Sequence, residues 1–302
     1  MNSENKILLT GATGFLGSKL LKSLLELGYQ VIVLKRTFSK LDRIAMFLDR
    51  VVYYHSDTDD MDAIFSARDI HCVIHCATHY GRNDSDPRSV IEANLTLPLE
   101  LLILSRKYNV PYFINTDTIL DKGVNYYSLS KRHFYDWLTL NSGSMKIANL
   151  KLEHFYGPGD DPTKFVTHMI KELLMNMPEI RLTKGAQTRD FIHVDDVVSA
   201  FLAVLGHLHE MAPGVNDFHV GTGTPTTIRN FCETLKLLVA DTKTTLLFGA
   251  LEYRKNEVMF ADLDVSPLMK LGWRPNIALH DGLRQTIEEE RRLMRGGNRW
   301  PY

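Results

Sequence analysis

"KILLTGATGFLGSKLLKSLLELGYQVIVLKR", residues 6–36, opens on a short apolar run, turns on glycines, continues into a leucine-rich stretch and closes on a second apolar run. Leu16, Leu20, Leu21, Leu24 and Leu27 recur at helical spacing, and Gly28 supplies a natural stop. The order is strand, glycine turn, helix, strand. Gly11, Gly14 and Gly17 stand as G-x-x-G-x-x-G between the first strand and the helix. Glycines there let the backbone turn tightly and approach a pyrophosphate, which lies on the helix N-terminus. Gly11, Thr13, Gly14, Phe15, Leu16 and Gly17 form the candidate dinucleotide cradle.

The same rhythm continues outward. "VVYYHSD" (51–57), "CVIHCAT" (72–78) and "PYFINTDT" (111–118) are further short apolar runs, and "SVIEANLTLPLELLILSRKYN" (89–109) reads as one helical segment. Alternating strands and helices imply right-handed crossovers and a mainly parallel sheet. The fold class is α/β, a Rossmann-type doubly wound parallel sheet with a smaller C-terminal substrate-binding domain. After about residue 158 the rhythm loosens: "YGPGDDPTKF" (156–165) is a loop by its Gly, Pro and Asp content, and "QTRDFIHVDDVVSAFLAVLGHL" (187–208) suggests a strand followed by a helix N-capped near Asp195. The expected division is 1–160 for the dinucleotide domain, with return segments near 187–221 and 257–263, and 161–302 mainly for the interleaved second domain. A small molecule is expected in a cleft between them.

Composition narrows the class. A net charge of -1 gives no bulk attraction to nucleic acid or an anionic membrane, and no stretch approaches the roughly 18 apolar residues of a membrane span. Cys72, Cys76 and Cys232 make an odd count without C-x-x-C spacing, so neither a disulfide framework nor a thiolate metal site is indicated and a reducing, cytoplasmic setting fits. His207, His209 and His219 lack partners at ligand spacing, so no metal is expected.

The end of the second strand bears on the cofactor. Lys35 and Arg36 follow "VIVL", Lys40 and Arg43 are close, and the first acid is Asp42. An acid at this point serves the ribose hydroxyls of NAD, whereas cations serve the 2′-phosphate of NADP, so NADP(H) is favoured over NAD(H). A solvated basic loop is the bland alternative.

"YYSLSK" (126–131) places Tyr127 and Lys131 four residues apart, on one face of a helix. A phenol of pKa near ~10 is a poor acid–base group at neutrality, and a nearby ammonium lowers it. The glycine turn, this Y-x-x-x-K pair and "RDFIHVDD" (189–196) together resemble the extended short-chain dehydrogenase/reductase family of nucleotide-sugar epimerases, dehydratases and 4-keto reductases, a resemblance that runs out to "LGWRPNIALHDGLRQTI" (271–287).

The resemblance implies roles. Lys131 would hold the nicotinamide ribose, and Tyr127 would exchange a proton with the sugar oxygen as hydride moves. Thr118 matches the family's catalytic hydroxyl, with Thr116 as the fallback; either could simply bond the strand end. Asp57 matches the acid near adenine, and Ala77, Thr78 and Asn94 fall along the cofactor. Arg189 and Arg254 match arginines on the substrate pyrophosphate, although Arg189, followed by Asp190, could be a salt-bridge residue. Tyr80 and Arg82 would shape the sugar pocket. In "KLEHFYGPG" (151–159), His154 replaces the usual asparagine and is either a substrate contact or a buried histidine. The amphipathic stretches 94–109 and 128–140 are those the family uses in a homodimer.

One departure separates reactions. Related 4,6-dehydratases carry Asp-Glu directly after the threonine, and here Ile119 and Leu120 stand instead, which neither donate nor accept protons. Asp117 comes one place too early and turns to the other face of the strand. The overall pattern resembles most the family branch of CDP-paratose and CDP-abequose synthases. It implies NADPH-dependent reduction of the C4 ketone of a nucleotide-linked 4-keto-deoxyhexose, CDP-linked sugar favoured, in deoxysugar and surface-polysaccharide biosynthesis. A nucleotide-sugar 4-epimerase with bound NAD and a non-catalytic NADP-binding regulator are the alternatives.

Overall fold

Strands buried on both faces read as continuous apolar runs, and Ile7, Leu8 and Leu9, like Cys72, Val73 and Ile74, have no exposed surface. The computed structural model describes residues 5–82 and 86–295. In chain order its first elements are β1 (Lys6–Thr10), α1 (Phe15–Glu26), β2 (Gln30–Lys35), β3 (Val52–His55), α2 (Met61–Arg68), β4 (Ile70–His75), α3 (Pro87–Ile91), α4 (Leu97–Lys107), β5 (Tyr112–Thr118), α5 (Tyr126–Asn141) and β6 (Lys146–Leu152). There follow β7 (His154–Tyr156), α6 (Phe165–Leu174), β8 (Glu179–Leu182), β9 (Thr188–Arg189), β10 (Phe191–His193), α7 (Val194–His207), β11 (Gly214–Val220), β12 (Thr226–Thr227), α8 (Ile228–Val239), β13 (Thr245–Phe248), α9 (Ser266–Lys270) and α10 (Leu279–Arg295).

The chain divides into two compact units. One runs to Leu152 and takes in Val198–His219 and Pro267–Trp273; the other comprises Glu153–Val197, Val220–Ser266 and the chain from Arg274. The first holds a seven-stranded sheet in the order β11-β6-β5-β4-β1-β2-β3. Its strands β1 to β6 pair in parallel, as sheets covered by crossover helices do. Strand order reverses between β1 and β4, where Thr10 registers with His75. The C-terminal edge at such a switch point is where Rossmann folds take ligands. Leu8, Val73, Phe113, Phe134 and Leu138 are among the residues filling the core.

The second unit packs Tyr156, Ile170, Leu182, Phe191, Phe231 and Ile287 into a core of its own, with Phe191 stacked on Phe231 at 3.9 Å. Parallel β7 and β10 align His154 with Phe191.

The structure refines two local expectations. The segment 89–109 is not one uninterrupted α-helix: Glu92–Thr96 forms a π-helical turn between α3 and α4. The Leu97 amide donates to the Glu92 carbonyl five residues back, immediately before Pro98, which has no N–H to give. The helix placed near Asp195 begins instead at Val194, so Asp195 and Asp196 lie in its first turn. The His193 imidazole does the capping, accepting from the Asp195 amide at 3.3 Å.

Candidate active site

The glycine turn is shaped by close approach. Gly11 has φ +70°, and a Cβ there would lie 2.5 Å from the Ala77 nitrogen and 2.6 Å from the Cys76 carbonyl carbon. A Cβ on Gly17 would overlap the Gly11 carbonyl. These two positions admit only glycine because the ends of β1 and β4 and the start of α1 meet there. Gly14 differs: it is exposed, it begins α1 as the N-cap residue, and no side chain caps the helix. The first turn of α1 contains no acid. Its amides and positive dipole end therefore suit an anion, and the turn fits the pyrophosphate of a dinucleotide. Thr13 is partly exposed, while Phe15 and Leu16 are buried beneath the turn.

At the end of β2 the candidate cations separate. Lys35 is buried, with its ammonium 5.1 Å from the centroid of the Tyr53 ring. Arg36 is exposed over Phe38, and Arg43, also exposed, lies over Phe15 at the glycine turn. Asp57 accepts from the Thr37 amide at 2.9 and 3.1 Å and from the Thr37 hydroxyl at 2.7 Å. Its carboxylate thus fixes the loop that carries Arg36.

The loop after β4 is anchored from two sides. The Thr10 hydroxyl accepts from the Cys76 and Ala77 amides at 3.2 and 3.1 Å. Asn94, fully buried in the π-turn, accepts from the His79 amide at 2.8 Å and donates to the His79 carbonyl at 2.8 Å and to Ser130 at 3.0 Å. Ala77 and Thr78 stay partly exposed. Asn94 therefore acts on this loop through its backbone, a brace that residue type alone does not announce.

Tyr127 and Lys131 are positioned by the start of α5. Asn125 accepts from the Ser128 amide at 2.8 Å while Ser128 accepts from the Asn125 amide at 3.2 Å, a capping box that fixes where the helix begins. The Tyr80 ring packs on Tyr127 with centroids 5.1 Å apart, and the Arg82 guanidinium lies 5.0 Å from the Tyr80 centroid. The Thr118 hydroxyl lies beside the Tyr127 phenol and accepts from the Leu120 amide at 3.2 Å, whereas the Thr116 hydroxyl donates to Cys76 Sγ at 3.4 Å. The structure thus brings Tyr127, Thr118, Tyr80 and Arg82 together, while the Thr116 hydroxyl turns to Cys76.

The electrostatics differ from expectation. Burial pushes the Tyr127 phenol well above its ordinary range, Tyr80 and Asp117 add to the rise, and the Thr118 hydrogen bond opposes it. The Lys131 ammonium donates to the Thr116 carbonyl at 2.7 Å. Burial brings Lys131 itself down to about 8, with Asp117 and Cys76 pulling the other way. In this geometry desolvation outweighs the through-space charge that a four-residue spacing promises.

In the second unit, His154 is partly exposed, packs edge-on against Phe191, and bonds the buried Glu153 carboxylate through Nδ1 at 2.7 Å. Arg189 pairs with Glu257 and donates to the Thr188 and Val258 carbonyls, both at 2.6 Å. Asp190 instead holds the next turn, accepting from the Thr222 and Gly223 amides at 3.0 and 2.7 Å. Arg254 is exposed in a turn closed by the Glu257 amide on its carbonyl. Among the described residues no group of His, Cys, Asp and Glu is placed to hold a metal ion, and no helix is long and apolar enough to cross a membrane.

Comparison with known proteins agrees with this architecture. Residues 7–221 match the NAD dependent epimerase/dehydratase family. CDP-abequose synthase from Salmonella typhimurium strain LT2 is 32% identical over 295 residues, covering 93% of this chain and 97% of its own. A putative UDP-glucose 4-epimerase from Methanocaldococcus jannaschii is 26% identical over 310 residues, with 93% and 97% covered. Among solved structures, UDP-glucose 4-epimerase with UDP-glucose from Thermotoga maritima superposes with a TM-score of 0.82 at 27% identity, covering 96% of this chain and 99% of its own. The chain belongs to the NAD dependent epimerase/dehydratase family and is an oxidoreductase of the extended short-chain dehydrogenase/reductase type.

Proposed function

We propose that the protein reduces the C4 ketone of a nucleotide-linked 4-keto-deoxyhexose with NADPH, and that the nucleotide is CDP. The observation that carries this reading is the Tyr127–Thr118 hydroxyl pair in a site where Ile119 and Leu120 follow the threonine. Two adjacent hydroxyls suit a carbonyl oxygen, and no carboxylate stands where loss of water would need one. The choice of CDP rests on the similarity to CDP-abequose synthase along nearly the whole of both chains. That similarity also supports a place in deoxysugar biosynthesis.

A bound nicotinamide would supply the hydride. The chain's own part is to receive the oxygen and give it a proton. As C4 becomes tetrahedral its oxygen gathers negative charge, which the Thr118 and Tyr127 hydroxyls stabilise by hydrogen bonding. The raised phenol keeps Tyr127 protonated at neutrality, the state a reduction requires. Lys131, one helical turn on, supplies positive charge that eases formation of the phenolate left behind. His154, Arg189 and Arg254 are the candidate contacts to the nucleotide diphosphate and sugar.

NADPH is the favoured cofactor because Arg36 is exposed just after β2 and Arg43 beside the glycine turn, while Asp57 is occupied with Thr37. Calorimetric titration is expected to show NADPH binding tens of times more tightly than NADH. Arg36→Ala with Arg43→Ala should weaken NADPH by about tenfold or more and leave NADH unchanged, as losing charge-assisted bonds to one phosphate requires. NADPH oxidation should then depend on a CDP-4-keto sugar. NAD retained through purification, with no such oxidation, would replace this reading by a 4-epimerase, which the likeness to the Thermotoga maritima enzyme favours.

A homodimer through α4 and α5 belongs to the same reading. Ile103, Trp137 and Leu140 stand exposed on these helices, and a shared apolar face explains that exposure. Sedimentation is expected to show a dimer that Leu140→Lys with Ile103→Lys converts to monomer; a monomeric parent protein would refute it.

A further inference from the structure

Strand alternation sends Thr116 and Thr118 to one face of β5 and Asn115 and Asp117 to the other. On that second face lies a buried polar network spanning β5, β6, β11 and α5. Asn115 donates to Asn149 Oδ1 at 2.7 Å. The Asn149 amide nitrogen then serves two carboxylates, Asp117 Oδ2 at 3.0 Å and Asp217 Oδ1 at 2.8 Å. Asp217 also accepts from the Tyr135 hydroxyl at 2.9 Å and pairs with Lys151 at 3.1 Å. Asp117 Oδ1 accepts from the Thr118 amide at 2.8 Å. Each of its oxygens is therefore held, and the carboxylate cannot swing away.

Lys131 enters the same layer from α5, one turn before Tyr135, and its ammonium reaches the carbonyl of Thr116, the residue before Asp117. Lys131 is 1% exposed and Asp117 is 6% exposed. A buried ammonium needs an opposite charge nearby, and a buried carboxylate needs the same. Lys151 answers Asp217 at the outer end of the network. We propose that Asp117 is the buried counter-ion of Lys131, a positioning residue that keeps the ammonium charged where Tyr127 and the nicotinamide ribose require it.

The other groups around Lys131 do not take that role. Cys76, beyond β4, is pushed up to about 11, chiefly by burial, and is a neutral thiol near neutrality. His75 on β4 is held neutral by burial and by the Lys131 charge itself. Tyr127 on the same helix is a neutral phenol. Asp117 is raised by burial and lowered by its bonds from Asn149 and Thr118 and by the charges of Lys131 and Lys151. The role also accounts for an acid immediately before Thr118, where it has no route to the substrate face.

The inference rests on the Tyr127–Lys131 reading above, so its test must not depend on turnover alone. Protein labelled isotopically at lysine Cε, with Lys131 assigned through Lys131→Met, reports the ammonium directly across a pH titration. The parent midpoint is expected near about 8. Asp117→Asn removes the charge and keeps the shape, and should lower that midpoint by ~1 unit or more. Lysine is charged below its pKa, so the alkaline loss of turnover should move toward neutrality by the same amount, with rates converging at acid pH. Asp117→Glu should restore both. A purely structural role would reduce turnover equally at every pH and leave the midpoint in place. An unmoved midpoint in Asp117→Asn overturns the proposal. So does a parent midpoint well below neutrality, which would show that the buried ammonium is not kept charged, a measurement that stands even if the variant fails to fold. Absence of keto-sugar reduction in the parent would count against the functional reading and leave the lysine titration intact.

Discussion

Tyr127→Phe is expected to lower keto-sugar reduction by about 10²- to 10⁴-fold, the usual contribution of a positioned acid, and to leave NADPH affinity unchanged. The phenyl ring preserves the packing on Tyr80, whose centroid lies 5.1 Å away, so the fold and the pocket wall should survive. What disappears is the only proton on that ring able to reach a carbonyl oxygen. Stopped-flow reduction with saturating NADPH separates the two quantities, since chemistry and cofactor binding are read independently. A phenylalanine variant that turns over at the parent rate would remove Tyr127 from the mechanism and with it the proposed function.

Gly11→Ala should be more damaging than its size implies. A residue with a Cβ pays ~1–2 kcal/mol to hold φ +70°, and the Cβ would also press on the Ala77 nitrogen and Cys76 carbonyl carbon. Both are backbone atoms at the end of β4, so relief requires parting two hydrogen-bonded strands, at ~1–3 kcal/mol. The sum is a loss of about 3 kcal/mol, visible as a lower midpoint of urea unfolding at unchanged slope. NADPH binding should fall as well, because the same turn presents the α1 amides. An unshifted midpoint would show that the turn relaxes freely and that glycine is dispensable at that position.

Features set by short-range rules were readable from the chain. The glycine turn is a backbone constraint within a few residues, and the Tyr127 and Lys131 spacing follows from one helical turn, so both are visible without knowing what packs on them. Long apolar runs likewise announce strands buried on both faces, as Ile7 to Leu9 are. Side-chain partners were not readable. Asp57 closes on Thr37, Arg189 on Glu257 and Asn149 on both Asp117 and Asp217, pairings that link positions 20, 68, 32 and 68 residues apart. Spacing along the chain carries no signal for such contacts. The direction in which the Tyr127 pKa moves was not readable for a related reason: proximity to Lys131 could be inferred from the helix, whereas the burial that dominates it belongs to the assembled sheet. The π-turn escaped notice because one added residue scarcely disturbs an apolar periodicity read over twenty.

That added residue makes the pocket wall sensitive to chain length. Each residue of an α-helix advances the phase by about 100°, so deleting one position within 92–96 would restore a regular helix and rotate α3 by that angle against α4. Asn94 would then leave its place between His79 and Ser130, and the loop bearing Thr78 and Tyr80 would lose its tether. A deletion of this kind would reshape the site without changing one residue that lines it.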